Sequence, residues 1–214
     1  MKHVIAYKGV CGTSLGLMQE AYASSFVPWI NWRIGVEGTQ QRPPMSFEMG
    51  RQWVRELDQK KGSSEVFAVL TQKGKRAHRF VGQMGVANIS WPNGVGSTGS
   101  IVGEPSARGR GVGTEAKLLL LYHAFNVLGL RKLTSHVKSF NGPSLGHLLK
   151  CGYKIVGCHR KQDFHEGAFV DEYLLEVFRG DWEPIWAVYQ ETKTLPTLSQ
   201  SARERIHRIS GEKK

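Results

Sequence analysis

The residues with most chemical potential are consecutive: Arg108, Gly109, Arg110, Gly111, Val112, Gly113 and Thr114. They lie between a strand-like run and a long apolar helix pattern. Glycines let the backbone turn sharply and aim several successive N–H groups at one point. With the positive end of the following helix dipole, this makes an anion site suited to a pyrophosphate, and Arg108 and Arg110 supply charge at its rim. A P-loop is excluded, because Gly113 is followed by Thr114-Glu115 and not by Lys-Ser/Thr. A dinucleotide fingerprint is excluded too, because the glycines at 109, 111 and 113 do not have the G-x-G-x-x-G spacing and the preceding strand opens no βαβ unit. The bland alternative is a flexible glycine-rich connector without a ligand.

The elements that must position this loop can be read from periodicity. Residues 3–7 suit an opening strand, and the spacing of Leu15, Met18, Tyr22 and Phe26 predicts a helix from Thr13 to about Val27. A tryptophan-rich segment follows, then the polar loop TQQRPP. Ser46 opens a second helix carrying Phe47, Trp53, Val54 and Leu57 on one face, which ends in the charged run DQKKGSSE. Residues 66–72, 78–90 and 98–104 read as an antiparallel meander, with the basic turn KGKR after the first strand. After the glycine loop come a helix over EAKLLLLYHAFNVLGL, a strand over 133–140, a short helix over 143–152 and two final strands. Residues 187–214 are polar and basic without sustained periodicity, which predicts a poorly ordered or surface-docked tail after a domain spanning 1–186.

Composition sets the outer bounds. The chain has 214 residues, 40% hydrophobic and 22% charged, so one α/β domain with an extension is expected, and neither a fibre nor wholesale disorder. Twenty-nine Lys and Arg against eighteen Asp and Glu give a net charge of +11, which favours anionic partners. Three cysteines make no disulfide framework, and the N-terminal residues lack the apolar core of a signal peptide, so a cytoplasmic protein without membrane spans is expected. Nucleic acid is a conceivable partner of the basic tail but not the favoured one; oligomeric state is open.

The ordered set of residues around the loop resembles the GNAT N-acetyltransferase superfamily. Arg108-x-x-Gly111-x-Gly113 matches the family's R/Q-x-x-G-x-G/A loop, and Gly113-Thr114-Glu115-Ala116, Ala124-Phe125, Phe140-Asn141, Gly152-Tyr153, Gly157, Arg160, Asp171 and Asp181-Trp182 continue the match. Trp29-Ile30-Asn31, Phe67-Ala68-Val69 and Val81-Gly82 are weaker echoes upstream. The branch is that of ribosomal-protein N-terminal, spermidine and amino-sugar acetyltransferases.

The resemblance implies an α/β fold with a mixed, mainly antiparallel sheet of six or seven strands, helices on both faces, and a splay between strands four and five. It implies acetyl-CoA as co-substrate, with its pyrophosphate on residues 108–114 and its pantetheine arm along Ile101, Val102 and Gly103. Asn141 would hold a pantetheine amide; an Asn-Gly turn or helix cap accounts for it equally. Trp29 and Asn31 would wall the acceptor amine. Two readings of Glu104 stand open: a base for the attacking amine, or a surface carboxylate paired with Arg108 or Arg110. Relatives often carry a tyrosine as thiolate acid seven residues after the asparagine, where this chain has Leu148. His147, Tyr153 and Tyr122 do not obviously replace it.

Cys158, His159 and His165 lack metal-ligand spacing, so no metal is expected. Cys151 has no evident His partner, and a packed cysteine is expected. The function implied is acetyl transfer to a primary amine, a protein N-terminus first, an amino sugar or other small amine second. A degenerate fold that binds without catalysis is the competing class.

Overall fold

The computed structural model describes residues 3–32, 44–60, 62–73, 77–200, 202–204 and 206. Most of the KGKR turn, most of TQQRPP and the last residues of the basic tail lie outside them.

Eight strands form one sheet in the spatial order β1-β2-β3-β4-β5-β6-β8-β7. They are β1 (Ile5–Lys8), β2 (Thr13–Leu17), β3 (Glu65–Lys73), β4 (Ala77–Ser90), β5 (Val95–Val102), β6 (Lys132–Lys138), β7 (Lys154–His165) and β8 (Ala168–Phe178). All neighbours are antiparallel except β5 and β6. The helices that pack on it include α1 (Ala23–Asn31), α2 (Phe47–Glu56), α3 (Val112–Tyr122), α4 (Gly142–Lys150) and α5 (Arg179–Thr192). The architecture is the mixed α/β one expected, with eight strands in place of six or seven.

The extra strand is β2, which replaces the first part of the helix expected from Thr13. Leu15 sits opposite Val69 of β3 and is fully buried. Gly16 passes so close to the neighbouring strand that a Cβ there would stand 2.6 Å from the Val4 carbonyl oxygen. Pairing with β3 is a tertiary bond pattern that overrides the local helical spacing. The helix starts only at Ala23.

At β3 the sheet is buried on both faces. Along β3, Phe67 and Val69 point into one cluster with α3 and α4, while Ala68 and Leu70 point into another with Tyr22, Phe26, Val27 and Ile30. That alternation is the two-residue period of a strand. Ser46 caps α2 as expected, accepting a bond from the Met49 N–H at 3.1 Å. α3 runs on into a π turn over His123–Val127.

The C-terminal helix crosses the expected boundary at residue 186. α5 runs through residue 187, and Trp182 and Tyr189 on it are buried. Trp186 stacks between Trp182 and Tyr122. Rings four and three residues apart thus give this segment its inner face.

Candidate active site

The parallel pair β5–β6 is short. Register partners run only from Val95–Lys132 to Ser97–Thr134, and the two strands then separate. The expected splay is therefore present, between strands five and six because β2 adds one to the count. Thr98 sits at its root, where its hydroxyl bonds Tyr153 Oη at 2.7 Å and the Ser135 hydroxyl donates to its carbonyl at 3.1 Å.

Beyond that root lies a cleft of about 780 Å³. Ile101, Val102, Arg108, Gly109, Gly111, Val112, Gly113, Thr114 and Asn141 all line it. Gly103, Arg110, Glu104, Trp29 and Asn31 do not.

The loop has the geometry its glycines suggested. Gly109 and Gly111 have φ of +69° and +80°, a region costly for other residues. Gly111 stands at the N-cap of α3 and no side chain caps that helix. The first helical bond runs from the Glu115 N–H to the Gly111 carbonyl at 2.9 Å, so the preceding N–H groups have no partner within the helix. A Cβ on Gly113 would meet only Val102 Cγ2, at 3.7 Å. An uncapped positive helix end facing a cleft is a cradle for an anion.

Arg108 donates from Nε to the Val102 carbonyl at 2.9 Å and from Nη2 to the Gly103 carbonyl at 3.1 Å, tying the loop back to the strand. Arg110 lies in the exposed turn away from the cleft lining.

Glu104 is not at the end of the strand. It caps a short 3-10 turn over Pro105–Ala107, its carboxylate accepting from the Ser106 hydroxyl at 2.8 Å. Its ion pair is with Arg79 on β4, at 2.5 Å, and not with Arg108 or Arg110. The Ser106 hydroxyl first, with help from Arg79, holds its carboxyl below the ordinary carboxylate value.

Asn141 caps α4, its side-chain oxygen accepting from the Ser144 N–H at 3.1 Å, and it still faces the cleft. Asn31 is occupied elsewhere: its amide brackets Met45 with two bonds of 2.7 Å to the backbone. Trp29 stacks on Phe80 and fills the space over Gly103, where a Cβ would stand 2.0 Å from its ring. It therefore abuts the chain just after β5.

Leu148, at the position where relatives often carry a tyrosine, is buried in the core. Tyr153 is buried as well, and burial pushes its hydroxyl upward. Cys151 is packed beneath α3 with its thiol raised to about 12, a value unsuited to a nucleophile. Among the described residues no group of three or more His, Cys, Asp and Glu could hold a metal ion. None of the described helices is long and apolar enough to cross a membrane.

Sequence reasoning missed two parts of the lining. One is the face of α4 formed by Pro143, Gly146, His147 and Lys150; the other is Leu198, Arg203 and Ile206 from beyond α5. The His147 ring donates to the Pro143 carbonyl, the only hydrogen-bonding group proline's backbone offers, and its Nε2 is buried without a partner. Burial, then the charge of Lys117, depresses it to about 3, so the ring is neutral.

Comparison with known proteins agrees with this geometry. The sequence model of the family described as Acetyltransferase (GNAT) domain matches residues 17–154. An N-acetyltransferase 9-like protein of Caenorhabditis briggsae is 32% identical over 117 residues, 51% of this chain. The chain spans 57% of that relative's length. Spermidine N-acetyltransferase from Vibrio cholerae, solved with CoA and spermine, superposes with a TM-score of 0.72 at 16% identity, over 80% of this chain and 98% of its own. RimJ of Mycobacterium smegmatis, solved with CoA-disulfide, gives 0.71 at 17% identity, over 92% and 95%. The glycine cradle, the parted strands and the matched segment lead to one assignment: the chain belongs to the GNAT acetyltransferase domain family.

Proposed function

We propose that the protein is an acetyl-CoA-dependent N-acetyltransferase that acetylates a primary amine, with a protein N-terminus as the acceptor. The observation that carries this reading is the uncapped N-terminus of α3, opening through Gly109–Gly113 into a cleft between β5 and β6. The residues present fit a CoA thioester: free N–H groups for a pyrophosphate, a split between strands for a narrow arm, and the Asn141 amide at its side. Bound there, acetyl-CoA supplies an already activated acyl group. The chain's part is to hold and orient.

Val112, Gly113 and Thr114 offer their N–H groups to the pyrophosphate. Backbone groups of Ser100, Ile101 and Val102 that point away from β4 line the arm, and an N–H there polarises the thioester carbonyl. Trp29 over Gly103 forms the acceptor side. Glu104, with its carboxyl lowered and engaged by Ser106 and Arg79, is a weak proton acceptor. It acts instead as the strut that fixes the turn between strand and loop, and the proton of the attacking ammonium leaves through water. With Leu148 in the core, the departing thiolate takes its proton from solvent.

The net charge of +11 opposes a polycationic acceptor such as a free polyamine and favours amines carried on neutral or acidic partners. The test is an assay of thiol release from acetyl-CoA with peptides bearing free N-termini, amino sugars and polyamines side by side. Turnover fastest with peptides supports the proposal. Turnover fastest with an amino sugar replaces the acceptor and keeps the chemistry; CoA binding with no turnover on any amine makes the fold a binding module.

A further inference from the structure

The cleft has a wall that the matched family segment, ending at residue 154, does not contain. After α5 the chain turns back over the phosphate loop. A Leu195 methyl lies 2.3 Å from where a Cβ on Gly111 would stand, so this side chain covers the N-cap of α3. Leu198 and Ile206 each bring a methyl within 3.7 Å of the corresponding point on Gly146 of α4. Leu195 and Ile206 pack on the main core. The segment is anchored at its root, where the Cys11 thiol donates to the Lys193 carbonyl. Ser199 shapes its far end: its hydroxyl accepts from the Ala202 N–H at 3.2 Å and its carbonyl from the Arg203 N–H at 3.1 Å.

Docking in this way carries a cation to the cleft. Arg203 and Lys150 both line it, and among the described residues neither side chain has a hydrogen-bond or ion-pair partner. Arg108, by contrast, has two backbone carbonyls as acceptors. The cleft keeps about 780 Å³ with the segment in place, a volume suited to a sizeable ligand, so the segment walls the site without filling it. A ligand with a pyrophosphate and a further phosphate has more negative charge than one helix terminus can neutralise. A guanidinium matches phosphate oxygens in two-pronged geometry.

We propose that the segment carrying Leu195, Leu198, Arg203 and Ile206 is part of the co-substrate site and that Arg203, beside Lys150, binds a phosphate of CoA. This rests on the acetyl-CoA reading above. The test is calorimetric titration of the full chain and of Arg203→Gln with CoA, dephospho-CoA and pantetheine. Arg203 is exposed and has no side-chain partner among the described residues, so the variant keeps the wild-type melting temperature. The expected result is a roughly tenfold weaker CoA dissociation constant, the scale of one charge-assisted hydrogen bond, with pantetheine binding unchanged. Dephospho-CoA assigns the phosphate: unchanged affinity for it points to the 3′-phosphate, equal weakening to the pyrophosphate. In a second full-length variant, Leu198→Ser with Ile206→Ser, undocking the segment should also weaken CoA. Tighter CoA binding by that variant would make the segment a plug and overturn the proposal, as would an Arg203→Gln affinity equal to wild type. Wild-type protein that fails to bind CoA at all overturns the acetyltransferase reading along with it.

Discussion

Arg79 Nη2 lies 2.5 Å from Glu104 Oε2, joining β4 to the turn that leads into the phosphate loop. The same guanidinium reaches the Ser106 hydroxyl at 3.3 Å. A carboxylate held this way has one oxygen on an arginine and the other on a hydroxyl, and its affinity for a proton falls.

Glu104→Gln should therefore cost little catalysis. The amide can still accept from Ser106, and kcat should fall less than about tenfold. Removal of a working general base costs roughly 10²–10⁴. The check is steady-state kinetics with the best acceptor across pH, and a loss of several hundredfold would return Glu104 to the role of base.

The cradle predicts a second outcome. Gly113→Trp fills the space in front of the α3 N-terminus, where a Cβ would meet nothing closer than 3.7 Å. CoA binding should be abolished while the circular-dichroism melting curve stays within a few degrees of wild type.

Lys117 offers a stability test independent of the site. It is fully buried on α3, its Nζ has no hydrogen-bond partner among the described residues, and burial lowers it from 10.5 to about 8. A lysine that loses proton affinity on folding is protonated more readily in the unfolded chain. Its penalty is full below about pH 8 and is relieved as pH climbs toward 10.5. The size is about 3 kcal/mol. Lys117→Met should raise stability in urea by roughly that amount at pH 7, and the gain over wild type should shrink between pH 8 and 10.5. A destabilised variant would show that the ammonium has a partner in solution.

Glu115 links three distant parts of the chain. Its buried carboxylate accepts from the Cys11 N–H at 2.6 Å, the Thr13 N–H at 2.8 Å and the Tyr189 hydroxyl at 2.6 Å. Glu115→Ala leaves those donors unmatched and should cost about 3–5 kcal/mol, whereas Tyr189→Phe, which removes one hydroxyl, should cost about 1–3 kcal/mol. Urea denaturation of both variants measures the difference; equal losses would show that the carboxylate contributes nothing beyond Tyr189.

What was legible in the sequence was local. Gly109, Gly111 and Gly113 show their role in their own spacing, and Leu118 to Leu121 mark a buried helix without reference to the rest of the chain. Thr13–Leu17 fits a helix by itself because Leu15, Met18, Tyr22 and Phe26 follow a helical period, and only pairing with β3 decides for a strand. The ion pair of Glu104 with Arg79 crosses twenty-five residues and leaves no mark in either segment. Leu195, Leu198 and Ile206 are isolated apolar residues in a basic stretch; their docking depends on glycines at 111 and 146 leaving room for them.

The most direct measurement is calorimetric titration of the purified wild-type chain with CoA and acetyl-CoA. The account predicts one site with micromolar affinity that weakens as salt rises, since phosphates are held by backbone dipoles and cations. No heat of binding at millimolar ligand would contradict it.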